Sequence, residues 1–237
     1  MTKTQIVCHR GACRLAPENT IVSGHMAAML GGNFIELDLR QSRDGELYVL
    51  HDLTLERTTN GQGRISDMDA VDLDTLDAGT WFSEEFAGEP LPRFSAFLET
   101  LSGVADFYIE VKQADPDAVA QAVLKAGLRD RCFTYSETPQ MREAMRNAAP
   151  WMKRMVNWRD LQSIEDARAI HDAQIVEFHA PDLTGDRLDA ARALGLEVMV
   201  FTPLRDEVTF RRALSLNVNY LNIDYPELAY HLRKVLQ

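Results

Sequence analysis

Residues 5–39 read QIVCHRGACRLAPENTIVSGHMAAMLGGNFIELDL. The stretch opens on a short apolar run, Gln5–His9. It passes through Asn19–Leu30, whose apolar residues recur with helical spacing, and closes on a second β-like run, Asn33–Leu39. This strand–helix–strand unit sets the rhythm of the chain. Further strands are expected at Asp106–Val111, Cys132–Tyr135, Arg154–Asn157, Gln174–Phe178, Glu197–Phe201 and Tyr220–Ile223. Helical periodicity returns between them at Pro116–Ala126, Ser163–His171, Gly185–Leu194 and Glu207–Leu214. Asp115-Pro116 reads as an N-cap followed by proline in the first helical turn, and Gly127 and Gly195 stand where helices should stop. Alternating β and α elements favour a parallel sheet. Eight such units in 237 residues suit a (β/α)8 TIM barrel, whose usual length is about 250 residues. A doubly wound open sheet is the alternative; it needs fewer strands, and no glycine-rich nucleotide turn follows the first strand.

One segment interrupts the rhythm. Asp52 to Pro92 is rich in Asp, Thr and Gly, and it precedes a helix expected to begin near Phe94. In a barrel this is a small insertion after the second strand, on the face where active sites form. The expected organisation is one domain over 1–237, with 52–92 as a loop insertion over the site.

The net charge of −11 argues against nucleic acid as a partner, because no basic excess offsets phosphate charge. Three cysteines, Cys8, Cys13 and Cys132, cannot all pair within one chain and show no framework spacing, so reduced thiols are expected. The run Ile6-Val7-Cys8 is too short for a signal-peptide core or a membrane span. A cytoplasmic location without stable membrane association follows as the expectation. The oligomeric state is not legible.

Chemistry concentrates at strand ends. Side chains alternate along a strand, so Glu36 and Asp38 share a face of Phe34–Leu39, and Glu110 and Lys112 share a face of Phe107–Lys112. Inward carboxylates need compensation, and an oxygen-liganded divalent cation, Mg²⁺ or Ca²⁺, is the simplest. The plainer readings are solvent-facing carboxylates, pairing of Glu36 and Asp38 with Arg40 or another base, and a Glu110–Lys112 surface pair. His9 closes the first strand, followed by Arg10, suited to bidentate phosphate contact, and Gly11, suited to a tight turn. His51 closes the strand-like run Leu47–Leu50 after an Asp44-Gly45 turn. Each histidine taken alone is more often a hydrogen-bonded structural residue than an acid–base group. His25, His171 and His231 read as structural or solvated, as does His179, which follows a strand and could line the mouth but shows no partner.

Taken in order, His9-Arg10-Gly11, Pro17-Glu18-Asn19-Thr20, Glu36-Leu37-Asp38, Asp44-Gly45, His51-Asp52, Leu55-Glu56-Arg57-Thr58-Thr59-Asn60-Gly61, Leu91-Pro92, Ile109-Glu110-Val111-Lys112 and Asp224-Tyr225-Pro226 resemble the glycerophosphodiester phosphodiesterase family. The resemblance is dense over residues 6–112 and diffuse beyond. It implies a (β/α)8 barrel that hydrolyses small glycerophosphodiesters to glycerol 3-phosphate and an alcohol. It further implies Glu36, Asp38 and Glu110 as metal ligands and His9 and His51 as the acid–base pair. Arg10 and Lys112 would be the phosphate-binding residues. The nucleophile it suggests is the glycerol 2-hydroxyl, through a cyclic phosphate that water opens, with direct water attack as the alternative. The chain departs from the family pattern at Phe201-Thr202, where Trp-Thr is usual, and at Pro203-Leu204, where Asn often follows. Phe201 keeps an aromatic wall for glycerol. Competing expectations are a lyase that stops at the cyclic phosphate of lysophospholipid-like substrates, a non-catalytic phosphoester-binding barrel, and a metal-dependent aldolase or isomerase.

Overall fold

The structure is a computed structural model that describes residues 4–235, with side chains described as far as residue 232. The ends of the expected 1–237 domain lie outside that range. Strands β1 (Gln5–Cys8), β2 (Phe34–Gln41), β3 (Leu47–Val49), β4 (Asp106–Gln113), β5 (Cys132–Tyr135), β6 (Lys153–Asn157), β7 (Ile175–His179), β8 (Glu197–Thr202) and β9 (Tyr220–Ile223) form one sheet. Eight of them run parallel. β1 pairs with β9 on one side and β2 on the other, which closes the barrel. β3 turns back antiparallel on β2 through a hairpin in which Gly45 takes φ +94°. The fold is therefore the expected (β/α)8 barrel, with additional structure after its second strand.

Strand alternation builds the interior. Val7, Tyr108, Phe133, Met155, Ile175, Met199 and Tyr220 point inward and pack as one apolar layer, against which Phe34 and Tyr135 lean. The opposite residues of the same strands, such as Ile35, Leu37, Phe107, Ile109, Val176 and Phe178, pack against the helices outside. A parallel strand covered on both faces must be apolar on both, which explains its near-continuous hydrophobic text. The polar residues that interrupt those inward rows lie above the apolar layer, at the C-terminal end of the barrel.

The helices are α1 (Ile21–Met29), α2 (Ala70–Leu73), α3 (Phe94–Leu101), α4 (Pro116–Lys125), α5 (Pro139–Ala148), α6 (Asp166–Ala169), α7 (Gly185–Ala193), α8 (Glu207–Ser215) and α9 (Pro226–Val235). Asp115 caps α4 through the Asp117 N–H with Pro116 in the first turn, while Gly127 and Gly195 follow α4 and α7 with positive φ, as their sequence signals require. The helix expected at Ser163–His171 shrinks to the single turn of α6. Asp166 accepts hydrogen bonds from the N–H groups of Gln162 and Ser163, so the preceding residues form a capped turn, and Ile170 is exposed rather than buried.

Between β3 and α3 the chain carries α2 and two short 3₁₀ turns, Ile65–Asp67 and Glu84–Phe86. This segment has its own small core, with Leu55, Ile65, Leu73 and Leu91 packed on Tyr48 and Leu50. Among the described residues no helix is long and apolar enough to cross a membrane.

Candidate active site

The turn after β1 aims the first residues. Arg10 and Gly11 both adopt left-handed conformations, φ +55° and +81°. A Cβ on Gly11 would sit 2.4 Å from Ser23 Oγ and 2.9 Å from the Ser23 carbonyl carbon, so only glycine fits. Arg10 is held in its strained conformation by its own backbone. Its N–H donates to Glu36 Oε2 at 2.7 Å, and its carbonyl accepts from the N–H of Asn19 and from Ser23 Oγ. Asn19, also left-handed, donates through Nδ2 to Asp38 Oδ2 at 2.8 Å and accepts from the Asp38 N–H. Thr20 caps α1 by accepting from Ser23. The Pro-Glu-Asn-Thr turn thus fixes both a metal-candidate carboxylate and the first helix.

Glu36, Asp38 and Glu110 come together, with one oxygen of each within 4.8 Å of the others. Register explains it: Asp38 lies opposite Glu110 across the β2–β4 pair, and Glu36 is two residues earlier on the same face. Glu36 and Asp38 are each 1% exposed. Glu36 Oε1 and Asp38 Oδ1 have no hydrogen-bond donor, although Lys112 Nζ stands 3.5 Å from the latter. Burial, with the charges of Asp38 and Glu110 beside it, pushes Glu36 well above the usual carboxylate range. Burial and then Asp38 push Glu110 up to about 7. Burial also opposes ionisation of Asp38, but Arg10 and Lys112 outweigh it and hold Asp38 below its ordinary value. Crowded carboxylates with orphaned buried oxygens fit a divalent cation, and their all-oxygen donor set suits a hard one.

The cations beside them are largely shielded from solvent too. Lys112, with a 6% exposed side chain, reaches Glu110 at 2.5 Å and Glu137 at 3.0 Å. Glu110–Lys112 is therefore not a surface pair. Arg10 contacts Glu18 at 2.9 Å and lies 3.3 Å from Asp38. Arg40, the expected partner of the β2 carboxylates, instead donates to the His51 carbonyl.

His9 and His51 are built alike. His9 Nδ1 lies 2.8 Å from Asp224, which also takes Arg14 at 2.6 Å. His51 Nδ1 lies 2.7 Å from Asp52, which also takes Arg57. Arg57 continues to Glu18 and so to Arg10. Both carboxylates sit below their ordinary value. For Asp52 the Arg57 hydrogen bond leads; for Asp224, bonds to His9 and Arg14 overcome burial. Ionised carboxylates only accept, so each histidine carries its Nδ1 proton and keeps Nε2 uncommitted. Burial, reinforced by Arg10 and Lys112, lowers the His51 pKa despite the opposing charges of Asp38 and Asp52.

A cavity of about 270 Å³ at the C-terminal ends of the strands is lined by His9, Arg10, Glu36, His51, Glu110, Lys112 and Phe201. Of the expected site residues only Asp38 lies behind its wall, in the carboxylate group. Phe201 stands edge-on between His9 and His179, with ring centroids 5.0 Å and 5.2 Å away. His179, read as structural, therefore belongs to the cavity wall. Glu177, Asn157 and Asn222 also line it and were not singled out in the sequence. Glu177 is a single inward carboxylate in an apolar strand, a position that Glu36 occupies on β2, which is the signal that could have found it.

A parallel barrel with acidic, basic and imidazole groups gathered at the C-terminal mouth is the architecture of a (β/α)8 enzyme. The family model described as the Glycerophosphoryl diester phosphodiesterase family matches residues 9–228, and the chain belongs to that family. A glycerophosphodiester phosphodiesterase of Bacillus subtilis strain 168 is 29% identical over 255 aligned positions, covering 96% of this chain and 86% of the relative. One from Caldanaerobacter subterraneus subsp. tengcongensis is 43% identical over 110 residues, 46% of this chain and 45% of its own. The crystal structure of a glycerophosphodiester phosphodiesterase from Agrobacterium tumefaciens C58 has a TM-score of 0.94 at 41% identity, covering 96% of this chain and 99% of that one. An Oleispira antarctica phosphodiesterase, solved with sn-glycerol-3-phosphate, shares the fold at 24% identity and TM-score 0.84, over 99% and 97% of the two chains.

Proposed function

We propose that this protein hydrolyses small glycerophosphodiesters to glycerol 3-phosphate and an alcohol, with His9 and His51 as its acid–base pair. The observation that carries the reading is the meeting, in one cavity, of two Nδ1-anchored histidines with a carboxylate group and two buried cations. Family membership and the similarly named relatives support the substrate class.

Glu36, Asp38 and Glu110 would hold a divalent cation, Mg²⁺ or Ca²⁺. When bound, the cation would supply positive charge that offsets the negative charge of the phosphodiester and would ease ionisation of a nearby hydroxyl. Arg10 and Lys112 hold the anionic oxygens and stabilise the charge that develops on them. His51, kept neutral by burial and by Arg10 and Lys112, accepts the nucleophile's proton at Nε2. The nucleophile is the glycerol 2-hydroxyl, and water then opens the cyclic phosphate with the roles reversed: His9 takes a proton from water and His51 returns its proton to the 2-oxygen as that P–O bond breaks. His9, in its charged form, donates its Nε2 proton to the departing alkoxide as the ester P–O bond breaks, and Asp224 steadies the imidazolium. Phe201 forms the apolar wall against which the glycerol carbons lie.

Release of glycerol 3-phosphate should be measured before and after rigorous metal removal. Chelation should abolish turnover and Mg²⁺ or Ca²⁺ restore it. Full activity in the stripped protein would remove the carboxylates from the mechanism.

A further inference from the structure

Among the carboxylates around the cavity, Glu177 stands apart. Asp38 has Arg10 and Lys112, Glu110 and Glu137 have Lys112, and Asp224 has Arg14. Among the described residues Glu177 has no cationic side chain near enough to shift it; its neighbours are two neutral carboxamides. Oε1 accepts from Asn222 Nδ2 at 3.1 Å, and Oε2 from Asn157 Nδ2 at 3.2 Å. Glu177 is 6% exposed and Asn222 3%, and Asn222 Oδ1 is buried without any donor. All three residues line the cavity that holds the histidines. The Tyr108 phenol lies in the field of Glu110, Glu177 and Glu36 together, which joins this cluster to the carboxylate group.

The donors of both asparagines that face Glu177 are already used. Around Glu177 the cluster still offers acceptors: spare lone pairs on two carboxylate oxygens and the whole of Asn222 Oδ1. Its complement is therefore a hydrogen-bond donor. When ionised, Glu177 is a buried negative charge with no cationic side chain beside it among the described residues, and a neutral hydroxyl would leave that charge uncompensated. A primary ammonium supplies both the charge and three N–H donors, whereas a trimethylammonium supplies the charge and no donor.

We propose that Glu177, set between Asn157 and Asn222 in the cavity wall, is a specificity-determining residue that takes the primary ammonium group of the diester's alcohol, as in glycerophosphoethanolamine. The inference rests on the phosphodiesterase reading above and names the head group for it. A charge-assisted hydrogen bond of this kind is worth about tenfold or more in affinity.

The test is kcat/KM for glycerophosphoethanolamine, glycerophosphocholine and glycerophosphoglycerol, with wild type and with Glu177→Gln. Wild type should prefer the ethanolamine ester over the glycerol ester by about tenfold or more. The glutamine variant should collapse that ratio to within about twofold, through KM rather than kcat. Equal wild-type rates on all three esters would overturn the assignment without any variant. So would a preference that survives in Glu177→Gln, or an equal fall on every ester. If wild type cleaves none of the three, the phosphodiesterase reading itself fails; if it cleaves all without preference, only the role of Glu177 does.

Discussion

Replacing Glu177 with glutamine should stabilise the fold in mildly alkaline solution and do progressively less as the pH falls. Burial raises this carboxyl from its ordinary 4.5 to about 7, with the two asparagine bonds opposing the rise. The folded state therefore holds its proton where the unfolded chain has released it. The resulting penalty starts at the unfolded value, grows as pH rises to the folded one, and is constant above it. A displacement from 4.5 to about 7 corresponds to about 3 kcal/mol at pH values well above 7 and about 1 kcal/mol near pH 5. A glutamine of the same shape has no such penalty. Its carbonyl can accept from one asparagine, and its amide can donate to the Asn222 Oδ1 that now lacks a donor if that carboxamide turns. For a chain of this size each kcal/mol moves Tm by roughly 2–4 °C. Thermal unfolding followed by circular dichroism should show a gain of roughly 6–12 °C near pH 8.5, shrinking to a few degrees near pH 5. A gain independent of pH, or a variant less stable at alkaline pH, would refute the argument that Glu177 is an uncompensated buried charge. Retention of a destabilising carboxylate is what a ligand-binding site, rather than a structural one, would require.

His9→Ala or His51→Ala should each lower kcat by about 100-fold or more, read in a steady-state assay, and near-wild-type turnover in either would remove it from the acid–base pair. Because the His51 pKa is lowered, its neutral base form persists into mild acid, so the acid limb of the kcat/KM profile should lie below 6.5. Measured at saturating cation, where ionisation of Glu36 and Glu110 no longer limits the rate, a limb above that value would contradict His51 as the base. Gly11→Ala should lower Tm and activity together, since the new Cβ meets the Ser23 backbone at 2.9 Å in a left-handed turn that aims Arg10 at Glu36. A variant with unchanged Tm and activity would show that this turn has slack.

Strands were legible because alternation is local: each pair of positions two apart declares a shared face, and β5 and β9 appear with the bounds read from the text. The same rule placed Glu36 with Asp38 and Glu110 with Lys112. Helices were less legible than strands, and not in proportion to their apolar stripe: α7 was legible from its stop signal at Gly195, whereas α5 was not. α5 carries Met141 and Met145 on one face, with only Met145 fully buried, and α6 stops after one turn although Ile164 and Ala167 beside it are buried. At the site, the parts that escaped are those whose meaning is non-local. Glu177 draws its partners from positions 20 and 45 residues away, and His179 gains its role only when β7 and β8 bring it beside Phe201. Asp224 and Asp52 were visible within motifs, but their function as Nδ1 anchors depends on the closure of the barrel and on the turn after β3.

The central claim is cleavage of a glycerophosphodiester, and phosphorus NMR of the purified protein with glycerophosphoethanolamine in Mg²⁺ or Ca²⁺ tests it most directly. The diester resonance should give way to that of glycerol 3-phosphate as the sole stable product. An unchanged diester signal, or a cyclic phosphate that persists, would contradict the account.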